Sequence, residues 1–556
     1  MVLEVLDGTL SKGVLAVIVS WITWKIVGHL FSRSPLDNIP GPTNSSFLKG
    51  NVDRLFDRHG WDFQDEIGEK YGPVVKLMGP LGRKMLFVFD PKALHHIVVK
   101  DQFIYEQSGF TGTSIHATIG PGLFSTFGEH HRRQRKTLNP VFSINHMRRM
   151  TPIFYRVAHN LRGGLKKELD NRDGDVDVLR WMHRTALELI GQGGLGYSFD
   201  PLLEDRHDDY AAAMKEFLPA LFNISVLRLV WYKFQPLLSA LFPKYILRLM
   251  VDSLPIKRVQ YMKQLSDTMY QNATSVLQLK KDALRAGDEV VIKQVGEGKD
   301  VISVLLRANM EASEEERMPE EELLAQMSVL VLAATDTTSN TLAQIMQTLA
   351  THPEAQEKLR TEILQARDEA DGDISYDKLI ALPYMDAVCR ETLRLYPPST
   401  FVSRDRARTK KDVVMPLSQP IHGVDGQPIQ EIPIPKDTSV VIGIRASNLN
   451  REIWGDDVRE WKPERWLEPL PKTVTEAHIP GVYSNQMTFL GGGRSCLGFK
   501  FSQLEMKVVL STLLESFRFS PSKVAKDVHW NLAAVRYPTI GKDSTNPQLL
   551  MSVELL

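Results

Sequence analysis

Two cysteines in 556 residues, Cys389 and Cys496, are too few for a disulfide framework, and that scarcity favours a reducing, cytosol-facing environment. Net charge is missing as well. The 67 lysines and arginines balance 67 aspartates and glutamates, so the sum gives no electrostatic case for nucleic acid. Beyond the first 45 residues no Gly/Ser- or Pro-rich linker divides the chain, and it has no internal repeat or long low-complexity run. A prior of about 150 residues per domain would allow three or four domains. An undivided chain that is 43% hydrophobic reads instead as one large unit.

Long hydrophobic runs are rare, with one exception near the start. "VLAVIVSWITWKIVGHL", Val14–Leu30, has 17 residues, or roughly 26 Å as a helix against a bilayer core of about 30 Å. Lys25 and His29 stand near its C-terminal end, Arg33 follows, and the prolines of "NIPGP" cannot continue a helix. A buried core helix is the plain rival. A cleaved signal peptide fits less well, because no small-residue cleavage site is evident and Trp21 and Trp24 lie inside the segment. The expectation is a membrane anchor over residues 1–33 and a main domain over 34–556, with the basic flank placing that domain in the cytosol.

The rest of the chain reads as mostly helical with few strands. Tyr71–Val99 predicts two strands about a Gly/Pro turn, then a helix opened by Asp90 and Pro91. Residues 101–122, rich in Gly and Thr, predict a long mobile loop, and "GEHHRRQRKTLNPVF" begins a basic helix. Residues 217–250 are unusually apolar and read either as core or as a membrane-dipping, substrate-admitting surface. Pro319–His352 predicts a helix long enough to cross a domain, opened by Glu320, Glu321 and Glu322. Its middle, "AATDTT", sets Asp336, Thr337 and Thr338 among apolar neighbours, where polar groups are costly unless satisfied.

Glycine is concentrated where cysteine is scarce. "FLGGGRSCLGFK", residues 489–500, puts four glycines and Arg494 around Cys496, the pattern of a backbone loop laid against a flat body with one sulfur aimed at it. A helix beginning just after Cys496, with Arg494 beside it, is expected to favour the thiolate. Zinc fits badly, since the other cysteine is 107 residues away, and a cysteine nucleophile would want a histidine that the motif lacks. An axial ligand to haem iron fits best, with Arg494 free to pair with a propionate. Cys389 is most simply a small buried hydrophobe.

The spacing Phe489-x-x-Gly492-x-Arg494-x-Cys496-x-Gly498 resembles the haem-binding signature of the cytochrome P-450 superfamily, the haem-thiolate monooxygenases. Three further motifs agree in the family's order. "ETLR" supplies Glu391 and Arg394, and "PERW" supplies Arg465, which in the family complete a structural Glu–Arg–Arg cluster. "AATDTT" resembles the oxygen-activating helix segment, with Asp336 and Thr337 as the proton-delivering pair and Ala334 where the family usually has glycine. In "HHRRQRK", His131 takes the place of the usual Trp and Arg135 that of the usual Arg, both expected at haem propionates. Arg404, or alternatively Arg406, is a further propionate candidate; Ser399–Val402 and the 101–122 segment are expected to choose substrate. Arg132, Arg133 and Lys136 are expected either to be solvated or to meet an acidic redox partner.

The resemblance implies a mainly α cytochrome P-450 fold with small β-sheets, preceded by one transmembrane helix. It implies haem b held by Cys496, O2 as co-substrate, and electrons from NADPH. Because no flavin or nicotinamide domain follows residue 556, the donor is expected to be a separate NADPH–cytochrome P-450 reductase, with cytochrome b5 as an optional second donor. The segments around Cys496 and His131 are similar to fungal microsomal members. That implies a single-pass protein of the endoplasmic reticulum membrane, acting on a hydrophobic small molecule, with terpenoid or other secondary metabolites favoured over fatty acids and aromatics or xenobiotics. A haem-thiolate isomerase or dehydratase needing no reductase is the rival, and retention of Asp336 and Thr337 argues against it. The sequons at Asn44, Asn223 and Asn272 are then expected to stay unglycosylated.

Overall fold

The computed structural model describes Ser20 and residues 34–556, apart from 45, 107–108, 172–173, 205–207 and 405–410. The Val14–Leu30 segment, Ser20 excepted, and Arg406 therefore lie outside the described residues. Among those described, no helix is long and apolar enough to cross a membrane.

The strands are short and peripheral. β1 (Val74–Met78) and β2 (Lys84–Val88) form an antiparallel pair around Gly79–Pro80, with Val74 opposite Val88. β3 (Val176–Asp177) lies far from them. β4 (Val402–Arg404) joins the first sheet, and β5 (Val413–His422) and β6 (Pro428–Ile434) make a separate hairpin. β7 (Ser439–Ile442) lies between β2 and β4, parallel to the former and antiparallel to the latter. β8 (Phe517–Pro521) pairs with β11 (Leu550–Leu555), which also pairs with β3, while β9 (Val528–Asn531) and β10 (Tyr537–Ile540) form a last hairpin. The helix Pro91–His95 starts as expected: the Asp90 carboxylate accepts from the Ala93 N–H at 2.8 Å, and proline holds the first turn.

Helices make up the body. Where the sequence predicts a mobile loop over 101–122, the structure forms α1 (Gly109–Ile119). Its composition is poor for a helix, but Thr118 back-bonds to the Ser114 carbonyl at 3.0 Å and the Thr118 carbonyl accepts from Ser266, so tertiary contacts override propensity. α2 (Gly128–Leu138) is the basic helix, α3 (Val178–Ile190) is amphipathic, and α4 (Asp209–Asn223) buries Tyr210, Met214 and Phe217. The apolar segment continues as α5 (Ser225–Leu241) and α6 (Lys244–Ser253), and here the core reading fails. α6 buries no residue, and Val230, Phe234, Leu237, Leu241, Tyr245 and Leu249 are exposed. α7 (Lys257–Ala286) packs against α1 and α4.

α8 (Glu320–Thr351) has 32 residues, about 48 Å of helix. Pro319 is its N-cap, and Glu322, buried one turn in, holds α2 by two contacts: His130 Nε2 to Oε1 at 2.8 Å and Gln134 Nε2 to Oε2 at 2.6 Å. α9 (Pro383–Leu395) and α10 (Phe499–Ser516) pack beside α8, with Phe501, Leu504 and Val508 of α10 buried. One continuous core runs from Leu123 through α3, α8 and α10 to Met551, so the helices carrying the expected site residues share one packed interior.

Candidate active site

The cysteine loop is folded by its own backbone. The Cys496 N–H donates to the Phe489 carbonyl at 2.8 Å, the Ser495 N–H donates to the Gly492 carbonyl at 3.1 Å, and Phe489 meets Tyr483 edge-on at 5.5 Å. The glycines before Cys496 make room for neighbouring parts of the chain. A Cβ at Gly491 would lie 1.9 Å from the Pro480 carbonyl oxygen, one at Gly492 1.6 Å from that of Val98, and one at Gly493 2.3 Å from Gln102 Oε1. Gly492 also holds φ +66°, a left-handed angle that favours glycine. Gly498 differs: the nearest atom to its added Cβ is a Phe142 ring carbon at 3.9 Å.

Cys496 exposes surface, yet it lies deep enough that burial pushes its thiol up. Both hold together only if the sulfur borders a hollow inside the protein. The expected depression of the free thiol by the helix end is outweighed by this burial. The opposing influences are a hydrogen bond from the Gly498 backbone and the charge of Arg135. Arg135 of α2 donates to the Ser495 carbonyl at 2.6 Å and to Ser495 Oγ at 2.9 Å, which fixes a cation beside the sulfur. Arg494, expected to be that cation, instead donates to the Thr126 carbonyl at 2.9 Å and ties the loop to the segment before α2. His131 is buried one helical turn before Arg135. Arg404 ends β4, paired with Val440. Arg132, Arg133 and Lys136 are on the exposed face of α2.

α8 presents two faces. Leu330, Ala333, Ala334 and Thr337 retain accessible surface although the helix is packed about by α3, α7, α9 and α10. Their spacing (i, i+3, i+4, i+7) makes one stripe, so they too border interior space. Thr337 Oγ1 back-bonds to the Ala333 carbonyl at 2.7 Å. Asp336 points elsewhere, with His183 Nδ1 of α3 at 3.5 Å from its Oδ1. Burial raises the Asp336 carboxyl, against the charges of His183 and of Lys215 on α4. The two expected proton-delivering residues thus share a helix but not a face.

Three residues here escape motif reading: His183, Lys215 and Glu505. Glu505 of α10 is fully buried, and burial raises it well above its ordinary value against a hydrogen bond from Thr338. It extends the stripe Phe501–Leu504–Val508, so an acid at an apolar helical position was a readable signal. Nothing in the spacing ties His183 or Lys215 to a helix so distant in the sequence.

Glu391, Arg394 and Arg465 come together out of solvent. Arg394 Nε and NH2 each donate to a Glu391 oxygen at 2.8 Å, and Arg465 Nε reaches Oε1 at 3.4 Å. Trp466 Nε1 donates to Oε2 at 3.0 Å, and Arg394 also donates to the Val458 carbonyl at 2.7 Å, so the buried charges are satisfied. Cys389 is buried nearby on the same helix, its thiol pushed up to about 12 by burial.

A sulfur that keeps accessible surface at depth, with Arg135 fixed beside it, fits a ligand to haem iron. The comparisons with known proteins agree. The family model for Cytochrome P-450 matches residues 39–538. Cytochrome P-450 monooxygenase 91 of Postia placenta is 52% identical over 552 residues, covering 99% of either chain. Cytochrome P-450 monooxygenase 219 of the same fungus is 49% identical, covering 98% of each. A ganoderic acid synthetase of Ganoderma lucidum is 46% identical over 541 residues, covering 97% of each. The chain therefore belongs to the cytochrome P-450 family, as a monooxygenase that works with haem b, O2 and electrons derived from NADPH.

Proposed function

We propose that this monooxygenase is a membrane-anchored oxidase of hydrophobic secondary metabolites, terpenoids foremost, fed by a separate NADPH–cytochrome P-450 reductase. The observation that carries the reaction is the hollow bordered by Cys496, taken with the Thr337 stripe of α8. The terpenoid class is supported by the ganoderic acid synthetase at 46% identity across nearly the whole chain.

Cys496 would hold the iron, and Arg135, with His131 one turn away, stands where haem carboxylates would need cations and N–H donors. When bound, the haem supplies the electron-rich iron at which O2 is activated. The chain's own part is to position, to keep water out and to move protons. Thr337 offers a hydroxyl on the interior stripe, already held by the Ala333 carbonyl. Asp336, half-buried between that stripe and His183, can take a proton from the α3 side and pass it inward when its side chain turns. Glu391, Arg394 and Arg465 keep the segments around the cysteine loop in register and take no chemical part.

The membrane reading has two supports: the Val14–Leu30 run, and the exposed apolar side chains carried by the successive helices α5 and α6. Arg132, Arg133 and Lys136 give an acidic reductase a cationic face close to the cysteine loop. In vesicles with reductase and NADPH, a panel of terpenoids is expected to yield products gaining one oxygen atom, while fatty acids of similar length are left unchanged. Oxidation of the fatty acids alone would overturn the substrate class, and turnover without NADPH would overturn the reductase.

A further inference from the structure

Seven residues beyond Thr337, two turns or about 10 Å along α8, Gln344 borders a second cavity of about 430 Å³. Its walls are aromatic and cationic: Trp61, Trp461, Trp530 and Tyr396, with Arg445 and Arg536. No residue of the cysteine loop lines it. Arg536, just before the return strand β10, is only 4% exposed. It donates to Gln344 Oε1, and its Nε has no hydrogen-bond partner. Its guanidinium lies 4.2 Å from the Trp530 ring centre and 5.1 Å from that of Tyr396.

No carboxylate reaches this guanidinium among the described residues. The other guanidinium in the wall, Arg445, has its own partner in Asp65, and Asp65 is shared with Arg459. Burial and the Arg445 charge pull Arg536 down to about 9, so it is still a cation at neutral pH. A desolvated charge beside a like charge, with a donor unmet, is a costly arrangement that an anion would relieve. The volume suits a small ligand. Flat aromatic walls around a buried cation select a planar carboxylate on an apolar body over a compact inorganic anion.

We infer that the cavity between the C-terminal third of α8 and the β9–β10 hairpin is a binding site for an aromatic or similarly flat organic carboxylate, with Arg536 as its anchor. The site is separate from the oxidation site and does not depend on which substrate the enzyme takes.

The test titrates the full-length, haem-loaded protein with benzoate, with benzamide as its neutral analogue, and with inorganic phosphate, by calorimetry while the haem absorption band is followed. Benzoate is expected to bind saturably without moving the haem band, and benzamide and phosphate at least about tenfold more weakly. Arg536→Gln is expected to lose benzoate binding by at least about tenfold. Gln344→Glu keeps the cation and places a carboxylate on it, so it is expected to lose benzoate binding equally while raising the melting temperature. That second variant decides the matter should Arg536→Gln fail to fold. Absence of saturable binding, equal binding of benzamide or phosphate, or benzoate binding that persists in folded Gln344→Glu would each overturn the inference. So would benzoate binding that shifts the haem band.

Discussion

At the scale of the residue, Glu505 and Arg394 show opposite ways of burying a charge. Arg394 is met on all sides, and Arg394→Ala would strand the Glu391 carboxylate in the core. The expected cost is about 3–5 kcal/mol, read as a drop in urea midpoint together with lower haem content; a loss under about 1 kcal/mol would contradict a satisfied cluster. Glu505 has no cation beside it among the described residues, and burial, opposed only by a hydrogen bond from Thr338, sets its folded value above its unfolded one. At low pH both states hold the proton and the group is neutral in effect. As pH rises past the unfolded value, unfolding releases a proton and the fold loses stability progressively. Glu505→Gln should therefore match the wild type near pH 4 and surpass it by about 1 kcal/mol per pH unit above that, until the folded carboxyl ionises. A gap independent of pH would show that Glu505 is solvated or paired. The Arg394 cluster was legible because its members keep a fixed i,i+3 spacing and a fixed companion motif. His183 was not, because its partner Asp336 is set by how α3 crosses α8, a distance no local pattern encodes.

At the scale of the element, α8 carries two polar groups on two faces, Thr337 and Asp336, each with a proposed part in proton delivery. Thr337→Ala removes the hydroxyl of the interior stripe, and Asp336→Asn removes the acid facing His183. Each is expected to lower product formation by about 10²-fold while NADPH consumption falls less, because proton delivery and not electron supply is impaired. Parallel assays of product and NADPH check this; an equal fall in both would move the defect to haem binding or reduction. The long helix itself was readable from Pro319, the three glutamates and an uninterrupted run to His352. α1 was not, because its sequence lacks helical propensity and its order comes from α5 and α7. The chain neighbours of the glycine run were not readable for a related reason. Composition shows that something approaches Gly491–Gly493, but only the fold shows it to be residues 98–102 and Pro480.

At the scale of the whole molecule, the proposed seat on a bilayer rests on one N-terminal apolar run and on the exposed apolar side chains of α5 and α6. Residues 34–556 alone are expected to float with lipid vesicles, and Phe234→Glu combined with Leu237→Glu to reduce that flotation severalfold; unchanged flotation of the double variant would remove α5 from the membrane contact. In the full chain, Asn44, Asn223 and Asn272 should carry no glycan, and a glycosidase-sensitive mass shift would reverse the topology. The fold class was legible from ordered motifs of fixed internal spacing, while substrate choice lies in side chains that no motif fixes. The most direct test of the central claim, a haem iron ligated by the Cys496 sulfur, is the absorption difference spectrum of the reduced protein with carbon monoxide, for wild type and Cys496→Ser. The strongly red-shifted band of a thiolate-ligated carbonyl complex, present in the wild type and lost in the variant, is the predicted result. A band typical of histidine ligation in the wild type, or the red-shifted band persisting in Cys496→Ser, would contradict it.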